Sequence, residues 1–250
     1  ALYVALTRRQ TGAPAELQAL LANAQQRLGF DFMNLYSAQG ELLAAPAAAS
    51  APAALLPQAL RATGPAIAPA TLAVLDAATL QALAPHLAGR LRIMLIPTRG
   101  AAPTPRTEED RALVMLATAP VLGPAGEVLA VLRGGMLLNQ NLPFIDHINR
   151  IVYPEGSLPF DSHGTATLFM DDVRITTNVR LFQDQRAIGT RVSQAVRDAV
   201  LGRGSTWLDR AFVVDDWYVS AYEPLEDGQG RRIGMLYVGY LEKPFRQVKY

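Results

Sequence analysis

The chain has 250 residues, enough for one large domain or two ordinary ones of about 100–150 residues each. It is 50% hydrophobic and 18% charged, with a net charge of +1 and no block of like charge, which excludes the basic footprint of a nucleic-acid binder and the composition of a disordered chain. It contains no cysteine, so disulfides, thiolate nucleophiles and thiolate zinc sites are excluded as well.

In chain order, Leu17, Leu20, Leu21, Ala24 and Leu28 recur at three- and four-residue steps after Pro14, which predicts an amphipathic helix ended by Gly29. FDFMNLYSAQGELLAA reads as strand, polar turn and strand. Residues 44–70 are Ala/Pro-rich and read as extended segments around one short helix near Leu55–Arg61. A helical stripe over Thr79–Leu87 follows, then a strand in RLRIMLIPT and a polar loop in RGAAPTPRTEEDR. RALVMLATAPVL and GEVLAVLRGGMLL flank a Gly-Pro-Ala-Gly turn and predict a β-hairpin. Asn139–Tyr153 has helical spacing and reads as a helix joining two halves. In the second half, TATLFMDDVRITTNV predicts strand, Asp-Asp turn and strand. Ser193 is suited to cap a helix over SQAVRDAVLGRG that Gly202 and Gly204 stop. AFVVDDWYVSAYEPL reads as two strands around a second Asp-Asp turn, and GRRIGMLYVGYL as the last strand.

Two stretches repeat at an offset of 104 residues: Ala117 aligns with Ala221, Pro120 with Pro224, Gly126 with Gly230 and Gly135 with Gly239. The repeat and the element order predict an α+β chain of two tandem modules, each an antiparallel sheet flanked by helices. The expected division is a helical segment over 1–28, a first module over 29–150 and a second over 151–250. No apolar run approaches the roughly 18–20 residues that cross a bilayer. A start at Ala1 without a targeting signal suggests a piece of something longer.

GTATLFMDDVRITTNV, RAIGTRVS, AVLGRGSTWLDRAFVVDDWYVSAYEPLED and IGMLYVGYL resemble the Cache (PAS-like) sensor modules of bacterial transmembrane receptors. DFMNLYSAQGELL, LIPTRG, TEEDRALVMLATAPVL and VLRGGMLLN resemble the membrane-distal module of the same double-Cache family. The resemblance implies the periplasmic, ligand-binding region of an inner-membrane histidine kinase or chemotaxis receptor. Membrane helices would flank it outside this chain, and the receptor would be a homodimer, with the N-terminal helix suited to the dimer contact and to output. It implies a non-enzymatic chain that takes a small organic anion or another small solute, without cofactor or nucleic acid.

In the related citrate-sensing single-Cache kinases a small anion rests on the sheet. By motif position the family's arginine falls on Arg174, its histidine on Thr177, its basic pair on Ser220 and Tyr222, and its last-strand serine on Tyr237. One arginine is kept and the other charges become hydroxyls, which disfavours a tricarboxylate and suits a smaller carboxylate or a neutral polar solute. Tyr218, Ser220 and Tyr222 share a strand face by their period-two spacing, either as a pocket or as rings packed against a helix. In the first module Thr118 and Arg133 align with Tyr222 and Tyr237. A mid-strand arginine needs an anion, a salt bridge or an exposed face, and Arg99 and Arg106 could close over such a site. The paired acids Asp171-Asp172 and Asp215-Asp216 read as turn residues, and His86, His147 and His163 lack metal-ligand spacing. No catalytic constellation is visible. The competing reading is a pocketless module that binds a periplasmic partner protein.

Overall fold

The computed structural model describes residues 14–46 and 68–246. The helix expected near Leu55–Arg61 lies outside the described residues. The chain forms two compact units: one takes the described residues up to Gly89 with Val114–Leu137, the other Arg90–Leu113 with the chain from Leu138 onward. A boundary at residue 150 departs from this division. The helix at 142–152 and the polar segment 90–113 both belong to the second unit.

In the first unit, helix α1 (Pro14–Leu28) buries Leu17 and Leu21 against Met33, Leu35 and Ala130. Its sheet contains β1 (Phe32–Ser37), β2 (Leu42–Ala44), β3 (Ala68–Leu75), β6 (Ala112–Leu122) and β7 (Val128–Leu137), in the order β2-β1-β7-β6-β3. Strand β3 falls where the proline-rich composition had suggested loosely extended chain. Helix α2 (Ala77–Leu83) begins at Asp76, whose carboxylate accepts from the Thr79 amide at 2.7 Å.

The expected strand in RLRIMLIPT contracts to β4 (Ile93–Met94), which pairs with β5 (Glu108–Glu109) inside the expected loop. Pro97 has no amide to extend a ladder, and the chain instead docks by single bonds. The Ile96 amide donates to the Gly189 carbonyl at 2.9 Å, and Ala101 bridges Ser193. Gly189 has φ +90, and a Cβ there would collide with the Met94 carbonyl, so this close approach requires glycine.

After Leu138 the second unit resumes with α3 (Leu142–Val152), capped by Asn141, whose side chain accepts from the Phe144 amide at 3.2 Å. Helix α3 packs on β8 (Gly164–Met170) and β9 (Val173–Thr177). Ser193 caps a single α-turn, α4 (Gln194–Arg197), which continues as a π-turn over Asp198–Gly202. Strands β10 (Trp207–Val213), β11 (Asp216–Glu226) and β12 (Arg232–Leu241) and a short α5 (Lys243–Arg246) complete it. The sheet order is β9-β8-β12-β11-β10, which matches the first sheet strand for strand. The β8–β9 turn is the expected Asp171–Asp172, with Asp171 at φ +48. The β10–β11 turn falls one residue early, at Val214–Asp215, and Asp216 already begins β11.

The 104-residue repeat is the hairpin at the centre of each sheet. Thr118 pairs with Arg133 as Tyr222 pairs with Tyr237, and the ladder bulges between Val121 and Leu122 as it does between Leu225 and Glu226. The turns match too: Gly123 donates to Glu127 as Asp227 donates to Arg231, with Gly126 and Gly230 both at positive φ.

Candidate functional site

One row of paired positions crosses all five strands of the second sheet: Trp207, Tyr222, Tyr237, Thr167 and Thr177. The next row on that face holds Met235, Phe169 and Arg174. Phe169, Met235, Tyr218, Tyr222 and Tyr237 join Val192, Val196 and Val200 in one core cluster, so the covering segment lies on this face. Tyr222 and Tyr237 are 1% and 0% exposed, with ring centroids 4.9 Å apart. Tyr237 extends over Gly239 and shares a 2.8 Å hydrogen bond with the Thr165 hydroxyl.

Arg174, 1% exposed, lies among these neutral groups. Its Nε donates to Thr167 Oγ1 at 3.3 Å and its Nη1 to Thr190 Oγ1 at 2.6 Å, and the guanidinium stacks on Phe169 at 4.7 Å. Among the described residues no carboxylate pairs with it. Burial lowers its pKa from the ordinary arginine value, and burial pushes the Tyr218 and Tyr222 hydroxyls up to about 12. Thr190 still donates to the Ala187 carbonyl, and the Thr167 and Thr177 hydroxyls share a 2.6 Å hydrogen bond, so both threonines that Arg174 binds keep a second partner.

An open cavity of about 670 Å³ borders this face. Asp146 of α3, His163, Thr165, Arg180, Arg186 and Tyr218 line it. The volume falls within the range of small-molecule sites. Arg180 and Arg186 bridge each other at the base of a hairpin whose tip exposes Phe182 at 86% and holds Gln183 and Asp184 at positive φ. Arg186 grips both carboxylate oxygens of Asp146, Nη1 to Oδ1 at 2.6 Å and Nη2 to Oδ2 at 2.8 Å. These bonds hold the Asp146 carboxyl below the usual carboxylate range and raise Arg186.

The structure therefore gathers Arg174, Thr177, Tyr218, Ser220, Tyr222 and Tyr237 on one sheet face, but only Tyr218 of these lines the cavity. Thr165 joins the two regions through Tyr237. In the first unit, Thr118, Arg133 and Asn34 form the corresponding row, with Thr118 and Arg133 both 6% exposed. Asn34 Nδ2 donates to the Tyr36 hydroxyl at 3.2 Å and to the Leu83 carbonyl at 3.0 Å. The 90–113 segment belongs to the second unit, where Arg99 lies over Phe212 at 5.8 Å. Arg106 binds the fully buried Glu109 at 2.5 Å. Sequence reasoning missed Asp146, Arg180 and Arg186. The signal was present in two arginines bracketing LFQDQ, with Gln-Asp suited to a tight turn. Among the described residues no group of acidic and histidine side chains could hold a metal ion, and no helix is long and apolar enough to cross a membrane.

Residues 136–250, a little under half of the chain, match the family model of single Cache domain 3. The solved periplasmic domain of LuxQ from Vibrio cholerae is 15% identical, with a TM-score of 0.47 over 96% of this chain and 84% of that one. The ligand-binding domain of the amino acid chemoreceptor PctB from Pseudomonas aeruginosa PAO1, in complex with L-Arg, is 16% identical. Its TM-score is 0.36 over 100% of this chain and 88% of that one. No curated protein matches the chain.

Proposed function

We propose that the chain, whose residues 136–250 match the family model of single Cache domain 3, is the periplasmic sensor region of an inner-membrane signal-transduction receptor. It is built of two tandem PAS-like Cache modules and binds a small organic solute, with small carboxylates favoured. The shared strand order and the repeated hairpin support the tandem reading.

The observation that carries the function is the open cavity of about 670 Å³ beside Tyr218 and Thr165 of the second sheet, with Arg180 and Arg186 on its wall. Helix α3 and the Arg180–Arg186 hairpin both border it, so a bound solute touches two elements at once. A solute shifts their arrangement only by its differential affinity for two states. Flanking membrane helices of a homodimeric histidine kinase or chemotaxis receptor would carry that difference onward.

A second reading has one observation in its favour: Tyr222 and Tyr237, which align by motif with anion-holding positions of related kinases, are fully buried with their rings in contact. On that reading the chain is a pocketless module that docks a periplasmic partner protein. Calorimetric titration against small carboxylates, amino acids and sugars separates the two. The sensor reading expects saturable 1:1 binding by at least one solute, and silence across the whole panel leaves the docking module.

A further inference from the structure

Asp146 and Arg186 already form, inside the cavity wall, the complex that a carboxylate ligand would form. The fork is bidentate, at 2.6 and 2.8 Å, and it ties α3 to the hairpin. Arg186 Nη1 also donates to the Thr177 carbonyl at 3.1 Å, which fixes the guanidinium at the end of β9. The pair is only partly buried, at 19% and 32% side-chain exposure, so a solute in the cavity reaches it without unfolding anything. Asp146 also feels the charges of Arg150 and Arg180, so its carboxylate is surrounded by three cations. The hairpin is held by the Arg180–Arg186 bridge and local bonds of Arg180 to Asp184, while Phe182 at its tip lies in solvent.

Resting on the sensor reading above, we propose that Asp146 is a built-in stand-in for the ligand. Arg186 is the carboxylate-reading residue of the cavity, and a bound carboxylate takes its guanidinium fork from Asp146 and so releases α3 from the hairpin. The geometry favours a planar two-oxygen acid, because bidentate arginine recognition depends on two parallel N–H···O bonds. Asp146 competes for that fork and lowers the affinity of the unoccupied site. The same competition makes binding change the attachment of α3 to the rest of the module.

Calorimetric titration with acetate, succinate and benzoate, and with sulfate as a tetrahedral anion, tests this. At least one carboxylate should bind the unaltered chain. Asp146→Asn should bind it at least tenfold tighter, about 1.4 kcal/mol, and Arg186→Ala should lose it. Equal or weaker binding by a folded Asp146→Asn chain overturns the stand-in role, and sulfate binding as tightly as the carboxylates overturns the planar-acid assignment. Amide hydrogen exchange on the unaltered chain is a second readout that needs no variant. Saturation with the bound carboxylate should speed exchange in α3, and slowed or unchanged exchange contradicts release. If no carboxylate binds but another solute does, this inference fails and the sensor reading stands. If nothing in the wider panel binds, both fail.

Discussion

Replacing Arg174 by methionine asks whether the buried guanidinium supports the fold. Its two hydrogen bonds from a charged donor are worth about 1.5–3 kcal/mol each, and its stacking on Phe169 about 2 kcal/mol. Against these stands the penalty of several kcal/mol for burying an ion that has no countercharge among the described residues. The two sides nearly cancel. Thr190 keeps its bond to Ala187 and Thr167 its bond to Thr177, so the substitution strands no buried hydroxyl. Methionine fills much of the same space and adds apolar burial beside Phe169 and Tyr222. Arg174→Met should therefore unfold within about 1.5 kcal/mol of the unaltered chain, a shift of about 3–6 °C at most for a chain of this size. Urea unfolding followed by tryptophan fluorescence measures it. A loss above about 3 kcal/mol would instead make Arg174 a net structural support.

Three further outcomes follow from the same face and its surroundings. Tyr237→Phe removes the 2.8 Å bond to Thr165 and should cost about 0.5–1.5 kcal/mol in thermal unfolding; a neutral result would mean that the hydroxyl is equally well served by water. A Cβ at Gly239 would lie 2.5 Å from the Tyr237 hydroxyl and 2.7 Å from the Val219 carbonyl, so Gly239→Ala should cost about 1–3 kcal/mol. An unchanged melting temperature would show that Tyr237 lies elsewhere. Burial pushes the Glu109 carboxyl up, but the hydrogen bonds from Arg111 and Arg106 outweigh it, and its folded pKa falls below the ordinary glutamate value. A depressed carboxyl contributes stability that is fully present above the unfolded pKa and is lost as pH falls through the folded one. Unfolding measured from about pH 5 downward should show that loss, and Glu109→Gln should flatten it. Parallel curves for the two proteins would contradict the sign.

The hairpins, their offset and the helix at 142–152 were legible because they rest on local signals: period-two alternation, Gly turns and capping side chains. Strand β3 was not legible, since APATLAVL lies in a proline-rich stretch and becomes a strand beside β6. The same holds for 90–113. Its polar loop docks through Ile96, Ala101 and Arg191, contacts over large sequence separations that no local pattern announces. Strand register correctly put Tyr218, Ser220, Tyr222 and Tyr237 on one face, yet register says nothing of depth. The cavity lies instead beside Tyr218, walled by Asp146 and Arg186, residues 40 positions apart in the chain and joined only by tertiary packing.

On the sensor reading a small solute occupies the cavity of the second unit. Difference electron density from crystals soaked with whichever panel solute raises the melting temperature most is its most direct test. Density for that solute is expected between Asp146, Arg186 and Tyr218. Density at the Thr118–Arg133 row or on the outer surface, with this cavity unchanged, would contradict it.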